Sequence, residues 1–240
     1  MVRNVLFFAW LYGAMAVIGL LGLPSLLISR RATMGVIKVW AKTVLWGFRA
    51  IRGVTTETRG HQFAPHGPAL VAAKHQGMMD IVWPFAFFDD PCFVLKEELM
   101  MMPVLGWYAW RAHMIPVDRS AHSAALKKMV ADMRERLKES RQIIIFPEGT
   151  RTAPGADTDY KPGVAALYRD LGDTPCHLVA TNSGTSWPAH GIGFRPGHVV
   201  FEFLEPIPAG LKRGPFMQVL QERIETASRA LLPRAEATGG

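Results

Sequence analysis

The chain has 240 residues, 49% of them hydrophobic, and a formal net charge of +7. That length allows one domain with an appendage, and the apolar share exceeds what one core needs. Cys92 and Cys176 lie too far apart for metal or redox spacing, and there is no Walker loop, Gly-x-Gly-x-x-Gly turn, His/Cys cluster or nucleic-acid motif, so the basic balance points to membrane surfaces or phosphorylated substrates.

The run from Asn4 to Ser29 carries no charge, and Val5 to Ile28 is nearly continuous in apolar residues. At helical rise it reaches ~36 Å, against ~30 Å of hydrocarbon. It reads as a membrane helix or re-entrant hairpin, with Pro24 as a late kink. A signal peptide is the competing reading, but Arg30-Arg31 follows where a small-residue cleavage site would stand. Arg30, Arg31, Lys38 and Lys42 outweigh Arg3, which puts the carboxyl side in the cytoplasm. Met34, Ile37, Ala41, Val44, Phe48 and Ile51 then recur every three or four residues, opposite Lys38, Lys42, Arg49 and Arg52. This predicts a basic amphipathic helix, either on the membrane surface or packed on the following domain. Residues 1–55 form the anchoring segment on this reading and residues 56–240 the catalytic domain.

Strands are predicted over Ala69–Ala73, Cys92–Leu95, Met114–Val117, Ile143–Phe146, Leu178–Thr181 and His198–Leu204. They alternate with helices over Met78–Phe88, Ser120–Glu139 (with Ser120 as N-cap), Val164–Asp170 and Phe216–Leu232. The pattern is α/β, a mixed central sheet flanked by helices with an N-terminal membrane-associated helical segment. The apolar stretch Leu99–Leu105 reads as core, with a lip receiving acyl chains as the alternative.

Two motifs sit at predicted strand ends. His75-Gln76-Gly77-Met78-Met79-Asp80 follows Ala69–Ala73, and its loop lets His75 fold over the first helical turn to meet Asp80. A His held by a carboxylate is a general base with a fixed tautomer. His113 and Asp118 have the same spacing, but residues an odd number apart on a strand point to opposite faces. Phe146-Pro147-Glu148-Gly149-Thr150-Arg151 leaves the Ile143–Phe146 strand at its carboxyl end, where open α/β sheets hold ligands. Arg151 there suits a phosphate. Lys161, ahead of Pro162-Gly163 and a helix, can reach an anion, with a solvated lysine as the plain alternative. No Gly-x-Ser-x-Gly elbow is present, so the attacking hydroxyl belongs to the substrate; a hydrolase using Ser183 is the rival.

With Pro116-Val117-Asp118-Arg119 between them, these blocks resemble the glycerolipid acyltransferase family from about Gly67 to Pro208. The resemblance implies His75 as base, Asp80 as its orienting partner, and Arg119, Glu148 and Arg151 on a phosphorylated acceptor. Gly149, Thr150 and Lys161 would line the same site. It further implies transfer of an acyl group from acyl-CoA or acyl-carrier protein to the sn-2 hydroxyl of lysophosphatidic acid. No cofactor or metal is expected, the partners being membrane lipids and the two substrates, with no nucleic acid. The expected location is a bacterial inner membrane with the catalytic domain cytoplasmic. Glycerol 3-phosphate or a lyso-ornithine lipid are the alternative acceptors, and a non-catalytic membrane-binding module the more distant reading. Two departures stand out. Gly77 replaces a small polar residue, implying a looser base loop, and Thr174–Ala180 matches the fourth block only approximately.

Overall fold

A computed structural model describes residues 2–117, 122–189 and 193–233. Helices α1 (Val2–Leu21), α2 (Pro24–Ile28) and α3 (Arg30–Arg52) precede seven strands: β1 (Val54–Arg59), β2 (Ala69–Ala73), β3 (Pro91–Lys96), β4 (Ile115–Val117), β5 (Gln142–Ile145), β6 (Cys176–Thr181) and β7 (Gly197–Ile207). Helices α4 (Met79–Phe87), α5 (Leu105–Arg111), α6 (His122–Lys138), α7 (Gly163–Asp170) and α8 (Arg213–Ala230) complete the fold. The strands form one mixed sheet in the order β1-β7-β6-β2-β5-β3-β4. β6, β2, β5, β3 and β4 run parallel, β7 is antiparallel to β6, and β1 is parallel to β7.

This order makes the site. β2 connects through α4 to β3 on one side, whereas β5 connects through α7 to β6 on the other. Right-handed crossovers put the two helices on opposite faces of the sheet. β2 and β5 are neighbours, so a crevice opens between their carboxyl ends, the switch point where α/β sheets take ligands. Every residue of β2 is buried, and its three alanines fit a strand covered on both faces.

The expected strands and helices are present, with ends shifted by a few residues. β1 was not anticipated, because Val-Thr-Thr-Glu-Thr-Arg is a polar edge strand with only Val54 buried. α5 was not anticipated either. Leu99–Leu105, expected in the core, has no buried residue, and its first part belongs to a 3-10 turn, Glu97–Met101. His113 lies in a left-handed turn (φ 53°) before β4, not in the strand, and Asp118 and Ser120 are outside the described residues.

The N-terminal run breaks at Gly22-Leu23, and Pro24 opens α2. Pro is favoured at a first helical turn. Ser29 caps α3 by accepting from Ala32 N at 3.1 Å, and Gly53 closes it in a left-handed conformation (φ 67°). Among the described residues α1 alone is long and apolar enough to cross a membrane, and only Phe7 and Gly19 of it are buried. It runs back along α3, where Trp10 Nε1 donates to Thr43 O at 3.1 Å and its ring lies over Gly47.

The anchor and the sheet share one core. Phe7 is fully buried, with its ring centroid 4.6 Å from Phe48, 5.5 Å from Trp187 and 5.0 Å from Phe194. Arg30 is not a free flanking charge: it pairs with Asp90 at 2.7 Å and Glu139 at 3.6 Å. The division expected at residue 55 therefore falls inside β1, in a continuous packed unit. Phe7→Ala should cost about 3–5 kcal/mol, a fall in Tm on the order of 10 °C for a chain of this size. Thermal unfolding of the full chain in detergent micelles checks this, and an unchanged Tm would refute the shared core.

Candidate active site

β2 ends at Ala73, and Lys74, His75 and Gln76 leave the sheet into the crevice. His75 Nδ1 lies 3.1 Å from Asp80 Oδ2, in the first turn of α4. An ionised carboxylate only accepts, so Nδ1 carries the proton and Nε2 keeps its lone pair. The imidazole stacks on Phe146, with centroids 3.9 Å apart and planes at 16°, which holds the ring's tilt.

Asp80 is 2% exposed and accepts from every side. Oδ2 takes the Gln76 amide at 2.6 Å and the Gly77 amide at 2.8 Å, besides the imidazole. Oδ1 takes the Ser183 hydroxyl, from the turn after β6. Gly77 does not loosen this loop, because a Cβ there would fall 2.2 Å from Trp187 O. Only glycine lets the loop pass under that carbonyl. Gln76 Oε1 accepts from Gly184 N at 3.0 Å, a second tie between the base loop and the β6 turn.

Glu148, from the Phe-Pro-Glu-Gly-Thr-Arg block, faces inward and is 1% exposed. Its Oε2 accepts from His75 N at 2.8 Å, and its Oε1 accepts from Lys74 Nζ at 2.7 Å and Thr152 Oγ1 at 2.8 Å. Burial pushes the Glu148 carboxyl above the usual carboxylate range, while Lys74, Thr152 and the His75 amide pull it down. We read it as ionised, since the ammonium sits in contact with it. Lys74 also reaches Glu225 of α8 at 2.6 Å, and Tyr160 donates to the same Glu225 oxygen at 2.9 Å. Burial and those carboxylates hold the Tyr160 phenol well above its usual range, so it stays a donor.

The cleft-side residues differ in character. Arg151 donates to Met78 Sδ at 2.8 Å and to Ala189 O at 3.5 Å, with no carboxylate among its described partners. Thr150 and Lys161 are exposed. Gly149 takes a left-handed turn (φ 69°), and a Cβ there would press to 3.2 Å on the Lys161 stem, so Lys161 lies against the motif. Thr152 N donates to His75 O at 2.9 Å, tying the motif's exit to the base loop. His75, Asp80, Glu148, Gly149, Arg151 and Lys161 thus converge, while Arg119 lies outside the described residues.

Sequence reasoning did not find Lys74, Thr152, Gln76 or Glu225, and weighed Ser183 only as a nucleophile. Ser183 is fully enclosed, and its hydroxyl is committed to Asp80. A lysine closing an apolar strand, next to the base, is the one signal that could have exposed this network. Among the described residues, no three His, Cys, Asp or Glu side chains stand together as a metal site.

Comparison with known proteins agrees with this geometry. The acyltransferase family model matches residues 55–179. The chain is 32% identical over 200 residues to a 1-acyl-sn-glycerol-3-phosphate acyltransferase of Pseudomonas aeruginosa, covering 82% of this chain and 77% of that protein. It is 26% identical over 169 residues to the human 1-acyl-sn-glycerol-3-phosphate acyltransferase alpha, covering 70% of this chain and 60% of that one. The crystal structure of the 1-acyl-sn-glycerophosphate (LPA) acyltransferase from Thermotoga maritima matches with a TM-score of 0.81 at 23% identity, covering 98% of both chains, and shares the fold. The matched family model, the Pseudomonas relative and the His75–Asp80 arrangement agree: this chain belongs to the acyltransferase family.

Proposed function

We propose that the protein transfers an acyl group from a thioester to the sn-2 hydroxyl of 1-acyl-glycerol 3-phosphate, giving phosphatidic acid. The observation that carries this is a base without a nucleophile of its own. His75 keeps Nε2 for substrate, and the Ser183 hydroxyl is already bonded to Asp80. The acceptor hydroxyl gives its proton to Nε2 as its oxygen attacks the thioester carbonyl. The tetrahedral intermediate then expels the thiolate, which takes the proton back from the imidazolium. A thiol is far more acidic than an alcohol, so the sulfur leaves in preference to the attacking oxygen.

In this scheme Arg151 binds the acceptor phosphate, with Lys161 and Arg119 as further cations and the Gly149-Thr150 turn beside them. A guanidinium held, among the described residues, by a sulfur and a carbonyl is available to a dianion. We assign Glu148 a positioning part and no contact with the phosphate: a carboxylate would repel the dianion, and this one is occupied with Lys74 and the His75 amide. The acyl donor is acyl-CoA or acyl-carrier protein. We assign the site to a bacterial inner membrane with the catalytic residues on the cytoplasmic side, a reading that the apolar α1 and the basic α3 support. The similarity of relatives named for 1-acyl-sn-glycerol-3-phosphate favours that acceptor over glycerol 3-phosphate or a lyso-ornithine lipid.

The purified full chain, incubated in detergent with a panel of lysolipids and acyl thioesters and read by mass spectrometry, tests this directly. Phosphatidic acid should dominate, and preference for an acceptor without a phosphate would refute it. His75→Ala should lower kcat by about 10²–10⁴-fold without loss of fold or membrane binding. Near-normal turnover by that variant would end the mechanism.

Arg151→Ala should raise KM for the lysophosphatidic acid steeply, and Arg151→Lys should restore only part, because lysine keeps the charge without the fork. A rise confined to the thioester KM would instead assign this arginine to the donor. Ser183→Ala should cut kcat about tenfold or more at nearly constant KM, the loss of one bond to a charged group. Ser183→Cys, a weaker donor, should fall between. Equal losses in both variants, accompanied by unfolding, would show that Ser183 only packs.

A further inference from the structure

The described chain has seventeen large hydrophobic residues that are substantially exposed, and all of them lie between Val2 and Trp110. Eleven belong to α1, α2 and α3, the membrane-associated segment. The other six are Leu99, Met101, Met102, Leu105, Trp107 and Trp110, on the 3-10 turn and α5 of the catalytic domain. Met101 is 84% exposed and Trp110 70%. A soluble surface rarely leaves so much apolar side chain in one stretch.

This stretch is built onto the anchor. Tyr108 donates to Gly19 O at 2.9 Å and Arg111 Nε donates to Leu26 O at 2.7 Å. Both acceptors belong to helices whose outer faces are apolar. The turn and α5 are pressed together, since a Cβ on Gly106 would stand 2.1 Å from Met100 O. Val104 opens α5 at φ 64°, a conformation that a β-branched residue adopts only under constraint. The shape is therefore held, not frayed. It also emerges directly from the carboxyl end of β3, the sheet edge from which His75 leaves β2.

We propose that residues 97–111 are a second membrane-contacting element, a Trp- and Met-bearing foot that enters the lipid interface beside α1 and α2. The occupant is a lipid bilayer. The element is joined to α1 and α2 through Tyr108 and Arg111, tryptophan rings suit the headgroup boundary, and exposed Arg31, Lys42 and Arg49 on α3 complement anionic lipid. Glu97 and Glu98, also exposed, sit where β3 ends, towards the aqueous side of such a foot. The proposal rests on the anchor reading for its geometry, but its test separates the two.

Single cysteines replace Met101, Trp110, Leu27 and Lys128 in the full chain, each labelled with an environment-sensitive nitrobenzoxadiazole. Burial pushes the native Cys92 and Cys176 thiols up to about 11 and about 12, so both stay unlabelled. In phosphatidylglycerol vesicles with brominated chains, labels at 101 and 110 should shift to the blue and be quenched, and the label at 128 should not. Water-like, unquenched emission at 101 and 110 overturns the foot whatever happens at 27. Loss of quenching at 27 alone overturns the anchor and leaves the foot supported. A concentration-dependent shift at 110 without lipid would mean a second copy of the chain covers this face, and also overturns it. In activity, Trp107→Ser with Trp110→Ser should raise KM about threefold or more for acceptor presented in vesicles, and leave KM for a short-chain, monomeric acceptor unchanged. An equal rise for both acceptors would contradict an interfacial role.

Discussion

The carboxylate of Asp80 is the point on which the site turns. It gathers the imidazole of His75, the amides of Gln76 and Gly77, and the hydroxyl of Ser183. Those donors come from the exit of β2 and the turn after β6, and Asp80 itself stands in the first turn of α4, so one side chain joins three segments at once. An enclosed charge with fewer donors would cost several kcal/mol. With four, its orientation is over-determined, and the histidine inherits that orientation through Nδ1. The base is preorganised by hydrogen bonds that are in place without a substrate.

A second buried charge system underlies the first. Lys74 bridges Glu148 and Glu225, and Tyr160 and Thr152 occupy remaining lone pairs. The ammonium stands between two carboxyl groups, beneath a loop whose outer residues are Arg151 and Lys161. Buried ion pairs add little to stability compared with apolar packing, but they are unforgiving of substitution. Here the cluster joins α8 and the Phe-Pro-Glu-Gly-Thr-Arg turn to the main-chain amide of His75, so the C-terminal helix takes part in placing a base 150 residues earlier.

Much of this was legible before any coordinates. The α/β alternation, the strand-end positions of His75 and Arg151, and the break at Pro24 follow from apolar periodicity and turn chemistry. β1 was invisible because an edge strand needs only one buried residue, and Val54 alone gives no period. The foot was misread because Leu99–Leu105 is apolar in the manner of a core, and composition cannot tell lipid from protein as the surroundings. The inward contacts of Ser183 and Glu148 were not legible, for a shared reason. Each is a polar residue with a partner 73 or more positions away in the chain, and no local pattern signals which polar side chains turn inward.

The aromatic cluster of Phe7 with Trp187 and Phe194 has a consequence for how the protein is made. Phe7 leaves the ribosome about 180 residues ahead of the rings it packs against. At 5–20 residues per second that is a wait of roughly 10–40 s. During it α3 covers only part of α1, through Phe48 and Gly47, and a lipid bilayer is an apolar medium for the face that Trp187 and Phe194 will cover. The bilayer thus shelters the first helix until the last strands exist, and the sheet closes onto a segment already in position. Membrane insertion on this view is an early step of folding.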